Sequence, residues 1–114
     1  MARERLESAR REQRAGSPSS AVSLAYYAML YAARAALSEE DRYAKTHSGT
    51  WTLFRETFVA SDRVDAALAK QAQDVQKLRE ATDYDAVAIS GEQASEIVDL
   101  AARFLAAVEA AVGP

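Results

Sequence analysis

The side chains best suited to chemistry in this sequence are its single histidine, His47, and the arginines around it. Histidine titrates near neutral pH, so its ring can accept or release a proton under physiological conditions. Arginine carries a planar fork of donors that matches the oxygens of a phosphate. Arg42 precedes His47 with the spacing Arg-x4-His. The pair is therefore a candidate for combined proton transfer and phosphate binding, whereas Lys45 between them is interpreted as a solvated loop lysine.

A second group of polar side chains falls on one face of a predicted helix. Ser23, Tyr27 and Arg34 lie at positions i, i+4 and i+11, within about 40° of one another on an ideal helix. One interpretation is a polar pocket that faces the segment 46–49. The alternative is that Tyr27 packs its ring and finds one hydrogen bond, while Arg34 extends outward into solvent. His47 has a structural alternative too, in which it caps the following helix or fixes the loop.

Composition and charge exclude several classes of function. The chain of 114 residues has no cysteine, which rules out a disulfide framework, a thiolate metal site and a cysteine nucleophile. One histidine also excludes a multi-histidine metal site, and we predict neither a metal nor another cofactor. The net charge of −3 argues against coating of nucleic acid through bulk positive charge, although binding at a local basic site stays open.

No part of the sequence predicts a membrane protein. No apolar run approaches the roughly 20 residues that are needed to span a bilayer. The N-terminal residues lack the apolar core of a signal peptide. The absence of cysteine fits a reducing compartment. We therefore expect a cytoplasmic protein that does not bind a membrane.

The distribution of apolar residues, glycine and proline predicts helices only. Glycine and proline are scarce and fall where segments end, and the alternation typical of strands is missing. Ser61 is predicted to cap the fourth helix, and Ser90 with Gln93 forms a capping-box pattern that opens the last one. The predicted helices are roughly 2–14, 18–38, 50–60, 61–82 and 90–112, with a polar loop at 39–49 and a connector at 83–89. The fold class is an all-α, antiparallel four- or five-helix bundle. It forms a single domain over 1–114, in which 1–16 is a peripheral N-terminal helix.

The second predicted helix is the centre of this bundle. Its apolar residues cover most of its circumference, as expected for a helix surrounded by others. Its alanines would let neighbouring helices approach closely. One apolar stripe consists of Val22, Tyr26, Met29, Ala33 and Leu37, so Tyr26 is interpreted as a core residue.

Three short motifs resemble the HEPN family, in particular a branch of short prokaryotic members. Ser23-Leu24-Ala25-Tyr26-Tyr27-Ala28 is similar to the central-helix signature of that branch, which continues into an aromatic–Ala–Ala–basic run. The segment Lys45-Thr46-His47-Ser48-Gly49 is similar to its Lys-Thr-His-x-Gly loop. Arg79-Glu80-Ala81-Thr82-Asp83-Tyr84 is similar to its Arg-x-x-Ala-Asp-Tyr, with Thr82 where alanine is usual. The order and spacing of the motifs agree over roughly residues 20–84.

This resemblance implies a four- or five-helix bundle that usually forms a homodimer. Many members of the family are metal-independent endoribonucleases with Arg-x(4–6)-His near a dimer cleft, and others are non-catalytic binders of nucleotide or RNA. By position, the counterpart of that motif here is Arg79-x4-Tyr84, and a tyrosine with a pKa near 10 is a poor general base at pH 7. Short HEPN genes often neighbour the gene of a minimal nucleotidyltransferase, and the two proteins act as toxin and antitoxin.

Two functional hypotheses follow from the residues and the resemblance. The first is a binding and regulatory HEPN module of a toxin–antitoxin or defence system. It would act with a partner such as a nucleotidyltransferase and bind nucleotide or RNA through residues from Ser23, Tyr27, Arg34, Lys45, Asp83 and Tyr84. The second is a metal-independent endoribonuclease toxin that uses His47, Arg42 and Arg79. For Arg79 and Asp83 a local ion pair is the simpler interpretation. A protein that only assembles with others through its helices is a third hypothesis.

Overall fold

The computed structural model describes residues 1–85 and 88–113, and the side chains of residues 82–85 lie outside that description. Within the described residues the chain forms helices and no strand. They are α1 (Ala2–Arg14), α2 (Pro18–Glu39), α3 (His47–Phe54), α4 (Ala66–Asp85) and α5 (Gly91–Val112). α3 continues directly into a π-helical turn, Arg55–Val59. The prediction of an all-α helical bundle is confirmed.

α2 lies at the centre of the bundle and contacts each of the other four helices. Its six buried alanines present little volume, so the neighbouring backbones can approach closely. Tyr26, Met29 and Leu30 project from the same helix and are fully buried. As the pattern predicts, α2 carries its apolar residues around most of its circumference because other elements cover it on several sides. The buried alanines are Ala21, Ala25, Ala28, Ala32, Ala33 and Ala36.

α1 packs along α2 and α5 through a narrow apolar stripe. Leu6 and Ala9 in this stripe are 0% exposed, which makes α1 part of the core in spite of its many charges. Near its start, Arg3 forms an ion pair of 2.7 Å with Glu109 near the end of α5. α1 and α5 therefore run in opposite directions.

Aromatic rings fill the space between α2, α3 and α5. Trp51 packs edge-on against Phe104, with ring centroids 5.8 Å apart. Phe54 and Phe58 stack on each other at 5.1 Å, across the junction between α3 and the π-helical turn. These rings are buried completely or almost completely, and together they fix α3 against the bundle. The position of His47, the first residue of α3, is fixed by the same packing.

The predicted helix starts agree with the structure at α2 and α5 but not at α3 and α4. The capping box of α5 is confirmed, since Gln93 N donates to Ser90 Oγ at 3.1 Å and Ser90 N donates to Gln93 Oε1 at 3.0 Å. α3 begins at His47 and not at Thr50, so the end of the predicted loop is the first turn of a helix.

The prediction that Ser61 caps α4 is wrong. The hydroxyl of Ser61 donates to the carbonyl oxygen of Thr57 at 2.8 Å, which ties it to the preceding turn. α4 begins at Ala66, where the carboxylate of Asp65 accepts a hydrogen bond of 3.0 Å from the amide of Leu68. At its other end α4 continues through Asp85, into the segment predicted as a connector. Among the helices described, none has the length and apolar character needed to cross a membrane.

Candidate functional site

The N-terminus of α3 is built by the residues of the Lys-Thr-His-x-Gly segment. Thr46 is the N-cap, and its Oγ1 accepts a hydrogen bond of 2.9 Å from the amide of Gly49. A Cβ on Gly49 would lie 2.7 Å from that oxygen, so only glycine fits there without displacing the cap. The hydroxyl of Thr50 donates to the carbonyl oxygen of Thr46 at 2.8 Å. Thr46, not His47, therefore caps the helix, and His47 becomes its first residue.

His47 contacts α2 through a short chain of hydrogen bonds that ends in the core. Its Nδ1 lies 3.2 Å from the hydroxyl oxygen of Tyr26. The same oxygen accepts a hydrogen bond of 3.2 Å from Nε1 of Trp51. Tyr26 is 0% exposed and Trp51 is 1% exposed, whereas His47 is half-buried. The imidazole thus reaches from a buried aromatic pair toward the surface.

Tyr27 and Arg79 both lie next to the same tyrosine. The ring of Tyr27 meets His47 edge-on, with centroids 6.0 Å apart and an angle of 88° between the planes. The guanidinium of Arg79 lies 5.2 Å from the ring centroid of Tyr27 and 5.7 Å from that of Tyr26. Both distances are within the range of a cation–π interaction. α2 and α4 therefore present an aromatic pair and a cation beside His47.

Arg34 approaches the cluster from the next turns of α2. Its Nε donates to Oγ1 of Thr50 at 3.3 Å, and Thr50 is fully buried. This threonine donates its own proton to Thr46, so it can accept from Arg34 at the same time. Thr50 therefore connects the guanidinium of Arg34 to the N-cap that positions His47. We refer to Tyr26, Tyr27, Arg34, His47 and Arg79 as the His47 cluster.

The electrostatic environment keeps the imidazole neutral. Burial lowers the pKa of His47 below its usual value of 6.5, and the positive charges of Arg34 and Arg79 lower it further. The carboxylate of Glu80 acts in the opposite direction but is the smallest of these effects. Burial raises the pKa of Tyr26, partly offset by its hydrogen bond with Trp51 and by both arginines. At neutral pH the imidazole of His47 and the phenol of Tyr26 are therefore both neutral, beside the positive charges of Arg34 and Arg79.

The structure brings some of the predicted site residues together and places others elsewhere. Tyr27, Arg34, His47 and Arg79 belong to the cluster. Nη1 of Arg42 lies 3.4 Å from the hydroxyl of Thr57, in the π-helical turn.

Three further predicted residues also need placing. Ser23 lines a shallow cleft at the start of α2 with Glu12, Ser19, Ser20 and Leu24. Lys45 is exposed next to the N-cap of α3. The side chains of Asp83 and Tyr84 lie outside the described residues.

Tyr26, Thr50 and Trp51 also belong to this region, although the sequence does not mark them as site residues. The apolar stripe of α2 predicts Tyr26 as a core residue, and it is both a core residue and the hydrogen-bonding partner of His47. A signal was present in the residue type, because a buried tyrosine or tryptophan usually finds a partner for its polar atom. Across the residues whose side chains are described, no group of three or more His, Cys, Asp or Glu could hold a metal ion.

A comparison with protein families identifies the family of this chain. The family model for the HEPN domain matches residues 1–111, almost the whole chain. The chain belongs to the HEPN family. The resemblance carried by the three motifs is thereby confirmed.

Two curated proteins are similar to this HEPN chain. A UPF0332 protein of Gloeobacter violaceus is 36% identical over 86 residues, which are 74% of this chain and 68% of that protein. A protein of Methanocaldococcus jannaschii is 31% identical over 86 residues, which are 75% of this chain and 58% of that protein. The second carries the name "Putative toxin MJ0142". The similarity thus covers only part of each relative, and a little over half of the second.

Proposed function

We propose that this HEPN chain is a binding and regulatory module that holds the phosphate group of a nucleotide or RNA at the His47 cluster. The observation that carries the proposal is the convergence of two arginines from different helices on the surroundings of His47. Arg34 of α2 donates to Thr50, which is bonded to the N-cap that positions His47. Arg79 of α4 lies 5.2 Å from the ring of Tyr27, which meets the imidazole edge-on. Arg34 of α2 and His47 of α3 thereby supply the N–H donors for the ligand, and Arg79 of α4 adds a nearby positive charge.

The chemistry of these donors favours an anion. A guanidinium matches the oxygens of phosphate in a planar, two-pronged arrangement. Within the part of the chain whose side chains are described, no carboxylate forms an ion pair with Arg34. Only its Nε is used in the hydrogen bond with Thr50. The remaining donors of Arg34 are suited to a ligand, and Tyr27 on the same face of α2 offers a half-buried aromatic ring.

Binding measurements with AMP and with a short single-stranded RNA test this proposal. Wild-type protein is expected to bind at least one of them saturably, with an affinity that falls as salt is added. Arg34→Gln is expected to weaken binding about tenfold or more, because a charged hydrogen bond is lost. Arg103→Gln is the matched control, since Arg103 is exposed on α5. Absence of saturable binding at millimolar ligand, or equal losses in the two variants, would contradict the proposal.

The proposal also places the protein in a cytoplasmic toxin–antitoxin or defence system, as a homodimer that acts with a nucleotidyltransferase. The toxin-related name of the M. jannaschii relative and the HEPN assignment support this role. Sedimentation of the purified protein tests the dimer. Co-purification with the product of the neighbouring gene tests the partner. A monomer that forms no complex at micromolar concentration would remove this part of the proposal.

An endoribonuclease is the second candidate, and one observation favours it. His47 is neutral at pH 7 and lies near two arginines, and a neutral imidazole beside cations could take the 2′-hydroxyl proton of RNA. Cleavage of RNA in the presence of EDTA, compared between wild type and His47→Ala, tests it. Metal-independent cleavage that is lost in His47→Ala would support catalysis. Intact RNA with the wild-type protein would exclude it.

A further inference from the structure

We infer that Tyr26 is a positioning residue that holds His47 as the tautomer protonated on Nε2, so that the imidazole presents a hydrogen-bond donor to the bound phosphate. This inference rests on the proposed binding function for its ligand, but its structural part stands on three atoms. They are Nε1 of Trp51, the hydroxyl oxygen of Tyr26 and Nδ1 of His47, each 3.2 Å from the next.

The direction of the first hydrogen bond is fixed by chemistry. An indole nitrogen carries a hydrogen and can only donate, so Trp51 donates and the oxygen of Tyr26 accepts. The phenol then has one proton left, and His47 provides the acceptor nearest to it. Tyr26 is fully buried, and the described residues offer its hydroxyl no other hydrogen-bonding partner.

The direction of the second hydrogen bond follows from the burial. If Nδ1 of His47 carried the proton and donated to Tyr26, the phenolic hydrogen would have no acceptor in a buried position, which is unfavourable. If the phenol donates to Nδ1, the indole N–H, the phenolic hydrogen and Nδ1 are all paired. The neutral imidazole must then carry its hydrogen on Nε2.

A fixed Nε2–H has a functional consequence at the ligand. Nε2 becomes a donor and cannot accept a proton from substrate without a change of tautomer. The same geometry disfavours the imidazolium, because a proton on Nδ1 would displace the hydrogen that Tyr26 donates. The cluster then offers donors from His47 and Arg34 and no free base at Nε2, as expected of a phosphate-binding site. This arrangement favours a binder over a ribonuclease that uses His47 as its base.

The tautomer can be measured directly, since the chain contains only one histidine. A long-range ¹H–¹⁵N correlation spectrum of uniformly ¹⁵N-labelled wild-type protein near pH 7.5 distinguishes the two nitrogens. We expect the signature of a protonated Nε2 and an unprotonated Nδ1. A protonated Nδ1, or an averaged mixture of both forms, would overturn the inference. This result does not depend on whether any ligand binds.

Variants identify the cause of the tautomer. Tyr26→Phe is expected to give a mixture of tautomers and to weaken binding of AMP about three- to tenfold, because one ordering hydrogen bond is lost. Tyr31→Phe, on the same helix, removes a hydroxyl outside the chain and should preserve both properties. An unchanged spectrum in folded Tyr26→Phe would show that Tyr26 does not set the tautomer.

A second substitution covers the case in which Tyr26→Phe does not fold. Trp51→Phe removes the donor to Tyr26 but leaves Nδ1 of His47 as the acceptor for the phenolic hydrogen, so the Nε2–H tautomer should persist. A rise of the form protonated on Nδ1 in folded Trp51→Phe would overturn the role assigned to Tyr26. If the wild type shows the Nε2–H tautomer but binds neither AMP nor RNA, the proposed function fails while the assignment of Tyr26 stands.

Discussion

The amide of Gly49 donates a hydrogen bond of 2.9 Å to Oγ1 of Thr46, and a Cβ on Gly49 would lie 2.7 Å from the same oxygen. The glycine and the threonine of the Lys-Thr-His-x-Gly segment thus depend on each other. With His47 between them, the cap also determines where the imidazole lies.

Gly49→Ala is therefore expected to break the N-cap of α3. Alanine normally stabilises a helix relative to glycine, but here its Cβ displaces Thr46, and a lost cap costs about 1 kcal/mol. Gly91→Ala is the matched control at the start of α5, where an added Cβ meets nothing within 4 Å. Chemical denaturation should show Gly49→Ala to be less stable than Gly91→Ala by about 1–2 kcal/mol. Equal stabilities would contradict the role assigned to the cap.

The pKa of His47 should respond to Arg34 in a defined direction. Since the positive charge of Arg34 lowers this pKa, Arg34→Gln is expected to raise it toward 6.5. Titration of the His47 Cε1 proton by NMR measures the pKa without interference, because no other histidine is present. Arg103→Gln on α5 should leave the titration curve in place. A pKa that is unaffected by Arg34→Gln would show that this guanidinium is not close to the imidazole.

Stability should depend on pH through the same histidine. The pKa of His47 is lowered by burial, Arg34 and Arg79, while Glu80 opposes them, so the unfolded chain binds the proton more readily than the folded one. The free energy of unfolding is then at its full value above about pH 6.5 and decreases as the pH falls from there through the folded pKa. Urea denaturation between pH 7.5 and 5 measures this decrease.

His47→Gln isolates the contribution of the histidine. Glutamine keeps a polar group near Tyr26 but does not titrate, so the slope in this pH window should largely disappear. Glu109 has a lowered pKa from its hydrogen bond with Arg3, and its effect belongs to a more acidic window, below its usual value of 4.5. A slope near pH 6 that persists in His47→Gln would contradict the assignment.

The capping box of α5 gives a prediction for the fold itself. Ser90→Ala removes the oxygen that accepts from the amide of Gln93 and should destabilise the protein by about 1 kcal/mol. Ser38→Ala, at an exposed position near the end of α2, should stay within about 0.5 kcal/mol of wild type. Thermal or urea denaturation distinguishes the two. A neutral Ser90→Ala would show that the box does not stabilise α5.

Local signals explain which helix boundaries could be predicted. Pro18, the pair Ser90 and Gln93, and Gly113 carry strong end signals, and α2 and α5 begin or end there as expected. The start of α3 was missed because residues 45–49 are polar and include a glycine, which together are typical of a loop. The glycine is present because the cap of Thr46 needs its space, and this is a property of the folded turn.

The start of α4 depends on a similar tertiary detail. Ser61 has the residue type of a cap, but the π-helical turn brings the carbonyl oxygen of Thr57 within reach of its hydroxyl. Asp65 then takes the capping role. The i→i+5 hydrogen bonding of a π-helical turn has no clear signature in a single sequence. The start of α4 at Ala66 could therefore not be derived from the sequence.

In the candidate site, helical periodicity likewise predicts some neighbouring residues but not the contacts between helices. Tyr27 and Arg34 share a face of α2, and the periodicity alone is sufficient to group them. Tyr26 points toward the core by the same periodicity, and only the docking of α3 reveals that its hydroxyl lies at His47. Contacts between helices distant in sequence depend on packing, and therefore the hydrogen-bonded chain through Trp51 emerges only from the structure.

The alanines along α2 restrict how the His47 cluster could adjust to the ligand proposed for it. Their methyl groups leave the backbones of neighbouring helices close to α2, and larger residues there would force the helices apart. Tyr27 and Arg34 therefore lie on a helix that has little freedom to slide or rotate against its neighbours. A ligand of unfamiliar size would have to be accommodated by the chain between α2 and α3. Selection for a new ligand should thus substitute residues 40–46 before it alters α2.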